Sequence, residues 1–369
     1  MSYYLFFSGE IFIISTLLAY FTAPYVIKFA HKKGYICTPR DREIDIPRKI
    51  RKRSHDYQIP VIGGWVIFIP FLITMLSSIF FLDKLFPDDH YKLRYFLLFI
   101  SSVFIFIIGY FDDIKRLSYI TRFLIEIIII LSILILTLKD NYMILPGLPP
   151  WKIGWIEIFI LLIWSLGLCN SINLIDGLDG SASGLIVIAT VFLSLITAVE
   201  AFLVTMVLMS VMAACIAFLS YNFHPAKLFL GSSGTLFLGY VLSILTVWQP
   251  NHYTSNYYLP YAVLIFAVPI TDMVVVFTVR ILKGKNPFIA DSWHLHDRVL
   301  LTGLSRKQSV LLIWGLSLLC GLTAYLSYLQ IFGYFIAVGI VAVLVFSFYM
   351  IINKFEKSGN THSAEISPQ

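Results

Sequence analysis

Eleven long apolar runs decide what this chain can become. They lie at 5–27, 61–82, 95–111, 120–138, 154–172, 182–199, 201–220, 234–249, 258–282, 308–329 and 331–353. A stretch of about 18 apolar residues is long enough to cross the hydrocarbon of a bilayer as a helix. The residue balance agrees. The chain is 59% hydrophobic and 13% charged, whereas a soluble domain carries about 25% charged residues. The expected fold is an all-α polytopic integral membrane protein of about eleven transmembrane helices. Residues 1–353 are expected to form a single transmembrane domain, and 354–369 a short disordered tail. No basic segment precedes the first apolar run, so that run reads as a retained helix rather than a cleaved leader.

Charge gives the orientation. An odd number of spans puts the termini on opposite sides. With the N-terminus outside, the internal segments and their flanks hold 22 of the 27 Lys and Arg residues. The external segments hold Lys84, Lys92, Arg94, Lys139 and Lys152. Basic residues accumulate on cytoplasmic loops, so the N-terminus is expected outside and the C-terminus in the cytoplasm. The net charge of +6 then reports those loops and anionic partners such as lipid headgroups or phosphates, not nucleic acid. Cys37, Cys169, Cys215 and Cys320 follow no metal-binding spacing and read as packing residues without disulfides.

The polar exceptions gather in the internal segments. Residues 170–184 read NSINLIDGLDGSASG, with Asp176 and Asp179 among glycines. Carboxylates at a membrane edge are costly unless they face water, a metal or a substrate, and glycines let the backbone turn tightly against a ligand. Asp112 and Asp113 are followed by Lys115, Arg116 and Arg122. An adjacent acidic pair alone is more often a solvated helix end, yet carboxylates beside cations also suit metal–phosphate chemistry. Residues 221–239, YNFHPAKLFLGSSGTLFLG, lead small residues into a helix, as an anion cradle or an ordinary turn. His294 and His296, flanked by Asp291, Asp297 and Arg298, suit metal, phosphate or proton work. Asp272 stands alone inside an apolar run and is a functional candidate by position. The basic residues at 48–53 read as a positive-inside patch or as an attractor of an anionic substrate. Carboxylates, cations and glycine turns on one face fit phosphoryl transfer, and the embedding in helices implies that one reactant is a lipid.

Taken together and in order, these motifs resemble those of the polyprenyl-phosphate N-acetylhexosamine-1-phosphate transferases (glycosyltransferase family 4), most of all the undecaprenyl-phosphate N-acetylglucosamine-1-phosphate branch. The likeness is carried by FDDIKRL at 111–117, NSINLIDGLDGSASG at 170–184, YNFHPAKLFLGSSGTLFLG at 221–239 and DSWHLHDRVLLTGLS at 291–305, with RSHDYQIPVIGG at 53–64 in support. It implies that undecaprenyl phosphate attacks the β-phosphorus of a UDP-N-acetylhexosamine, UDP-N-acetylglucosamine first among them. UMP leaves and a lipid-diphosphate sugar forms on the cytoplasmic leaflet of the bacterial inner membrane, for cell-surface polysaccharide or O-antigen. It further implies Mg²⁺ or Mn²⁺ as cofactor, and dimers are common in the family. By motif position, the resemblance makes Asp112 the candidate base for the lipid phosphate, with Asp113 beside it near the metal. Asp176 and Asp179 line the nucleotide-sugar pocket, Asn173 and Asn222 support it, and Phe229 stacks on uracil. Lys115 and Arg122 supply positive charge for substrate. His294, as a catalytic candidate, and His296 contact the diphosphate or sugar.

Two positions depart from that pattern. Ser232 stands where the family carries a metal-binding Asp, and Asp297 stands where it carries a His. The paired change suggests that Asp297 joins Asp113 and Asp176 as a metal ligand in place of the missing carboxylate. The competing expectations are a family member that has lost catalysis and now binds lipid phosphate or a partner, and, ranked last, a proton-coupled transporter, for which Asp272 speaks but no internal repeat does.

Overall fold

A computed structural model describes residues 2–37, 58–85, 89–138, 142–143, 146, 151–152, 155–197, 202–248, 258–286 and 294–364. The basic run at 48–53 and Asp291 lie outside the described residues. The chain is built from helices: α1 (Ser2–Lys33), α2 (Gly64–Leu85), α3 (Asp89–Lys115), α4 (Tyr119–Thr137), α5 (Trp155–Ile175), α6 (Ser181–Thr197), α7 (Phe202–Asn222), α8 (Gly231–Val247), α9 (Tyr258–Ile265), α10 (Ala267–Leu282), α11 (Leu295–Leu301), α12 (Arg306–Tyr328) and α13 (Tyr334–Ala364). Among the described residues, seven helices are long and apolar enough to cross a membrane, and the bent pair α9–α10 makes an eighth. Three shorter apolar helices join them, covering 64–78, 181–197 and 231–247. The protein is an all-α, multi-pass membrane protein.

α8 is the centre. Every residue from Ser233 to Val247 is buried, and the helix packs against α3 and α5. Small residues permit the close approach, as they do between helices in lipid generally. A Cβ on Gly239 would lie 2.6 Å from the Cα of Cys169 on α5, and one on Gly109 of α3 would lie 2.6 Å from the Ser232 carbonyl oxygen. Phe68, Phe71, Phe106 and Phe237 fill the space between α2, α3 and α8 with stacked and edge-on rings. The outer helices show the reverse pattern. Ile13 and Phe21 on α1, Ile128 and Leu136 on α4, and Val343 and Phe346 on α13 are exposed, which suits a surface solvated by acyl chains.

Three local features differ from the sequence reading. The run at 258–282 is not one straight helix but breaks at Phe266, with a 68° bend. Pro269 explains the break: its ring has no N–H for the Ile265 carbonyl and collides with it in a continuous helix. α13 runs on to Ala364, so the tail expected to be disordered from 354 is helical for most of its length. Lys354, Phe355, Glu356 and Lys357 tolerate a helix well, and neither Gly359 nor polarity alone stops one that is already nucleated. Two small antiparallel pairs interrupt the helical pattern. β1 (Ile36–Cys37) pairs with β2 (Ile59–Pro60), and β3 (Tyr142–Met143) with β4 (Trp151–Lys152).

Candidate active site

The β1–β2 pair builds one wall of a pocket. Val61 N–H donates to the Tyr35 carbonyl at 3.2 Å and Phe229 N–H to the Pro60 carbonyl at 2.9 Å. Gly63 and Gly64 N–H groups donate back to the carbonyls of Phe229 and Leu230, each at 2.9 Å. The segment entering α2 is thereby laced to the segment entering α8. Gly231 makes that crossing possible. Its φ is +76°, a left-handed conformation that L side chains rarely adopt, and a Cβ there would lie 2.1 Å from the Val61 carbonyl oxygen.

Against the start of α8 stands Asp113. Ser232 N–H donates to its Oδ1 at 2.6 Å and Ser233 N–H to its Oδ2 at 3.0 Å. The first N–H groups of a helix have no partner within it, and a carboxylate placed there also meets the positive end of the helix dipole. A side chain from α3 thus caps α8. Asp112 is held differently. Its Oδ1 accepts the Leu117 N–H at 3.0 Å, and its Oδ2 receives Arg122 Nη1 at 3.0 Å. Arg122 also reaches Glu126 Oε1 through Nε at 3.4 Å, and Asn170 donates to Glu126 Oε2 at 3.0 Å. The result is an acid–base string joining α3, α4 and α5, half-buried at Asp112 and Arg122 and fully buried at Glu126.

The turn between α5 and α6 carries the second acidic pair. Asn222, at the end of α7, holds it in place. Its Oδ1 accepts the Gly180 N–H at 3.1 Å and the Ser183 hydroxyl at 2.8 Å, and its amide donates to the Leu228 carbonyl at 3.0 Å. Asp179 is buried, facing His224 Nδ1 at 2.7 Å and accepting the Ala226 N–H at 3.3 Å. The Thr235 hydroxyl donates to Asn173 Oδ1 at 2.7 Å.

These elements enclose a pocket of about 380 Å³, lined by Asp112, Asp113, Asn173, Asp176, Asp179, Asn222, Phe229 and Ser232, together with Ile36, Cys37, Val61, Arg116, Leu178 and Gly231. Eight residues anticipated from the motifs therefore meet at one place. Lys115 does not line it: its ammonium lies 5.5 Å from the centroid of the Phe111 ring. Arg116, one residue on, does line it, because φ of +49° at this residue turns the chain as α3 ends. Arg122 acts one layer back, on Asp112. Cys37 was expected to be packing and instead lines the pocket; none of the four cysteines is in a disulfide.

The histidines stand beside this pocket rather than among its lining residues. The ring of His296 abuts Gly177, so closely that a Cβ on that glycine would lie 1.9 Å from Nε2. Burial, the largest effect, pushes the His296 imidazole below the ordinary histidine range, against the opposing pull of Asp297. Asp297 itself lies 3.6 Å from His296 Nε2.

The donor set does not assemble a metal centre. Among the described residues no three His, Cys, Asp or Glu side chains converge on a point that would hold an ion. Both oxygens of Asp113 already accept backbone N–H groups, and the position next to it is Ser232, a neutral hydroxyl. Asp113 and Asp176 line the pocket and Asp297 does not. Cation affinity in an oxygen site rises with the number of charged ligands, so Ser232→Asp is expected to tighten Mn²⁺ binding about tenfold. Loss of the free-Mn²⁺ electron paramagnetic resonance signal on titration measures this, and equal affinity in both proteins would show that position 232 does not face the ion.

Comparison with known proteins agrees with this arrangement. The model of the family described as Glycosyl transferase family 4 matches residues 95–249, a segment that holds every pocket acid. A probable undecaprenyl-phosphate N-acetylglucosaminyl 1-phosphate transferase of Bacillus subtilis is 31% identical over 316 residues, 85% of this chain and 83% of the relative. An undecaprenyl-phosphate alpha-N-acetylglucosaminyl 1-phosphate transferase of Thermotoga maritima is 27% identical over 336 residues, covering 91% and 96% of the two chains. A decaprenyl-phosphate N-acetylglucosaminephosphotransferase of Mycobacterium tuberculosis is 25% identical over 326 residues, covering 81% and 77%.

Proposed function

The chain belongs to glycosyl transferase family 4, and on that premise we infer that its pocket transfers N-acetylglucosamine 1-phosphate from UDP-N-acetylglucosamine to undecaprenyl phosphate. An oxygen of the lipid phosphate attacks the β-phosphorus of the nucleotide sugar. The bond from that phosphorus to the bridging oxygen breaks, and UMP leaves carrying that oxygen. The new lipid–oxygen–phosphorus link completes a diphosphate. The observation that carries this reading is the convergence of four carboxylates, Asn173, Arg116 and the ring of Phe229 in one pocket at the ends of α3, α5 and α7 and the start of α8.

In this reading Asp112, oriented by Arg122, takes the proton of the lipid phosphate. Asp113 fixes the floor by capping α8, so the Ser232 and Ser233 amides stay aligned. Arg116 neutralises phosphate charge, Phe229 stacks on the base of the nucleotide, and Asp176 and Asn173 address the sugar side. Mg²⁺ or Mn²⁺ assistance, expected from the resemblance, finds no ready ligand set, and no step is assigned to it. Eleven crossings, with the N-terminus outside and the pocket at the cytoplasmic face of the inner membrane, are supported by the distribution of Lys and Arg. The seven long helices, the bent pair and the three shorter apolar helices fall on the eleven runs of the sequence.

The neutral Ser232 favours one other reading, a member that binds lipid phosphate without turning over. One assay separates the two. Purified protein is incubated with radiolabelled UDP-N-acetylglucosamine, undecaprenyl phosphate and a divalent metal, and label is counted in the organic phase. Transfer is expected for the native chain and loss of transfer for Asp176→Ala. Undiminished turnover in that variant would mean that the centre has been misplaced. No transfer with any metal, with lipid phosphate still bound, would establish the second reading.

A further inference from the structure

Asp272 lies on α10, beyond the bend, and is 1% exposed. It belongs to no part of the pocket. A carboxylate in such a place persists only when it is paired, and its partners are specific. Leu295 N–H, the first of α11, donates to Oδ1 at 2.7 Å. The Tyr349 hydroxyl of α13 donates to the same oxygen at 3.4 Å. His294 Nδ1 stands 3.2 Å from Oδ2.

The other nitrogen of His294 fixes the proton's place. Nε2 lies 3.4 Å from Arg280 Nη2. A guanidinium nitrogen only donates, so Nε2 accepts and Nδ1 carries the hydrogen given to Asp272. Carboxylate, imidazole and guanidinium form one buried chain, with Asp272 and Arg280 two turns apart on α10. Both ring nitrogens of His294 are thereby taken by protein groups. His296 is held more loosely, with Nε2 3.6 Å from Asp297 Oδ2. Its ring runs parallel to that of His294, with centroids 5.6 Å apart. Its Nδ1 is buried without a hydrogen-bond partner among the described residues. Its Nε2 edge abuts Gly177, between Asp176 and Leu178 of the pocket lining.

We propose that Asp272 is a positioning residue of the transfer site: through His294 and the first turn of α11 it sets His296 against Gly177, and His296, not His294, is the histidine that meets substrate. The proposal rests on the transfer reaction inferred above and adds to it a residue outside the pocket and a division of labour between the two histidines.

A double-mutant cycle on the full chain in detergent–lipid micelles tests it. Asp272→Ala is expected to lower kcat about tenfold with little change in KM, and His296→Ala to lower kcat about 100-fold. If Asp272 acts through His296, the double variant is no slower than His296→Ala alone. Effects that multiply would overturn the proposal. Asp272→Asn, which keeps an acceptor, should recover most of the rate that Asp272→Ala loses. Where Asp272→Ala does not fold, His294→Asn breaks the same chain from its other side and runs the same cycle. A second measurement needs no turnover. Nitrogen NMR of histidine-labelled protein should find His294 as the Nδ1–H tautomer, and should find the His296 signals shifted in Asp272→Ala. Unmoved His296 signals would overturn the positioning role whatever the rate. A native chain that transfers nothing would defeat the inferred reaction instead, and the NMR result would still decide whether Asp272 places His296.

Discussion

Gly231→Ala is expected to destabilise the protein by about 3 kcal/mol and to abolish transfer, from one added methyl group. Two costs combine. A residue other than glycine held in the left-handed region costs of order 1–3 kcal/mol, and φ at Gly231 is +76°. The new Cβ also meets backbone on one side and the catalytic region on the other. It would lie 2.1 Å from the Val61 carbonyl oxygen and 2.7 Å from Asp113 Oδ2. Overfilling a tight contact adds about 1–3 kcal/mol. Relief requires the first turn of α8 to move away from Asp113, which takes the Ser232 and Ser233 amides with it. Thermal unfolding in detergent measures the first effect and the lipid-phase assay the second. A variant with native melting and native turnover would show that the close crossing at Gly231 is not a constraint in solution.

Arg122→Ala is expected to cost about 3 kcal/mol, because removing one partner of an ion pair whose other member is buried leaves that charge uncompensated. Here it leaves two. Asp112 Oδ2 loses a partner at 3.0 Å and Glu126 Oε1 one at 3.4 Å, and Glu126 is fully buried. The loss of stability should be partly repaired by adding Glu126→Gln, which removes a stranded charge while leaving an acceptor for the Asn170 amide. Turnover should not return with it, since Asp112 still lacks the group that orients it. Melting curves and initial rates of the two variants check both halves. A second substitution that restored activity along with stability would deny Asp112 its dependence on Arg122.

The apolar runs and the polar motifs were legible because each rests on short-range chemistry. Runs of the right length announce helices in lipid, and acids among glycines at helix ends announce a site. Asp112, Asp113, Asn173, Asp176, Asp179, Asn222, Phe229 and Ser232 accordingly come together. What stayed hidden depends on how chain ends turn and on which partner a side chain finds. Nothing in DDIKR distinguishes Lys115 from Arg116 until φ at 116 is known. Asp113 was legible as an acid of the site, but not as the cap of α8, because the Ser232 and Ser233 amides that it accepts lie more than a hundred residues away. His294 looked like a substrate contact because nothing in the sequence joins it to its partners: Asp272 stood out by position, but neither it nor Arg280 announces a histidine that follows by 14 to 22 residues. Pro269 was the available signal for the break at Phe266, and it was there to be read.

α8 also sets a depth. Its 17 residues make a rod of about 25 Å, against about 30 Å for the hydrocarbon layer. A helix of that length, packed chiefly against the longer α3 and α5, cannot bring its first turn to the headgroup plane at one end while its last turn reaches the other. With its last turn at one headgroup plane, the floor formed by Asp113 and the Ser232 and Ser233 amides sits about 5 Å inside the other. Geometry of this kind favours the lipid reactant: its phosphate meets the site near its resting depth, and the water-soluble partner makes the journey.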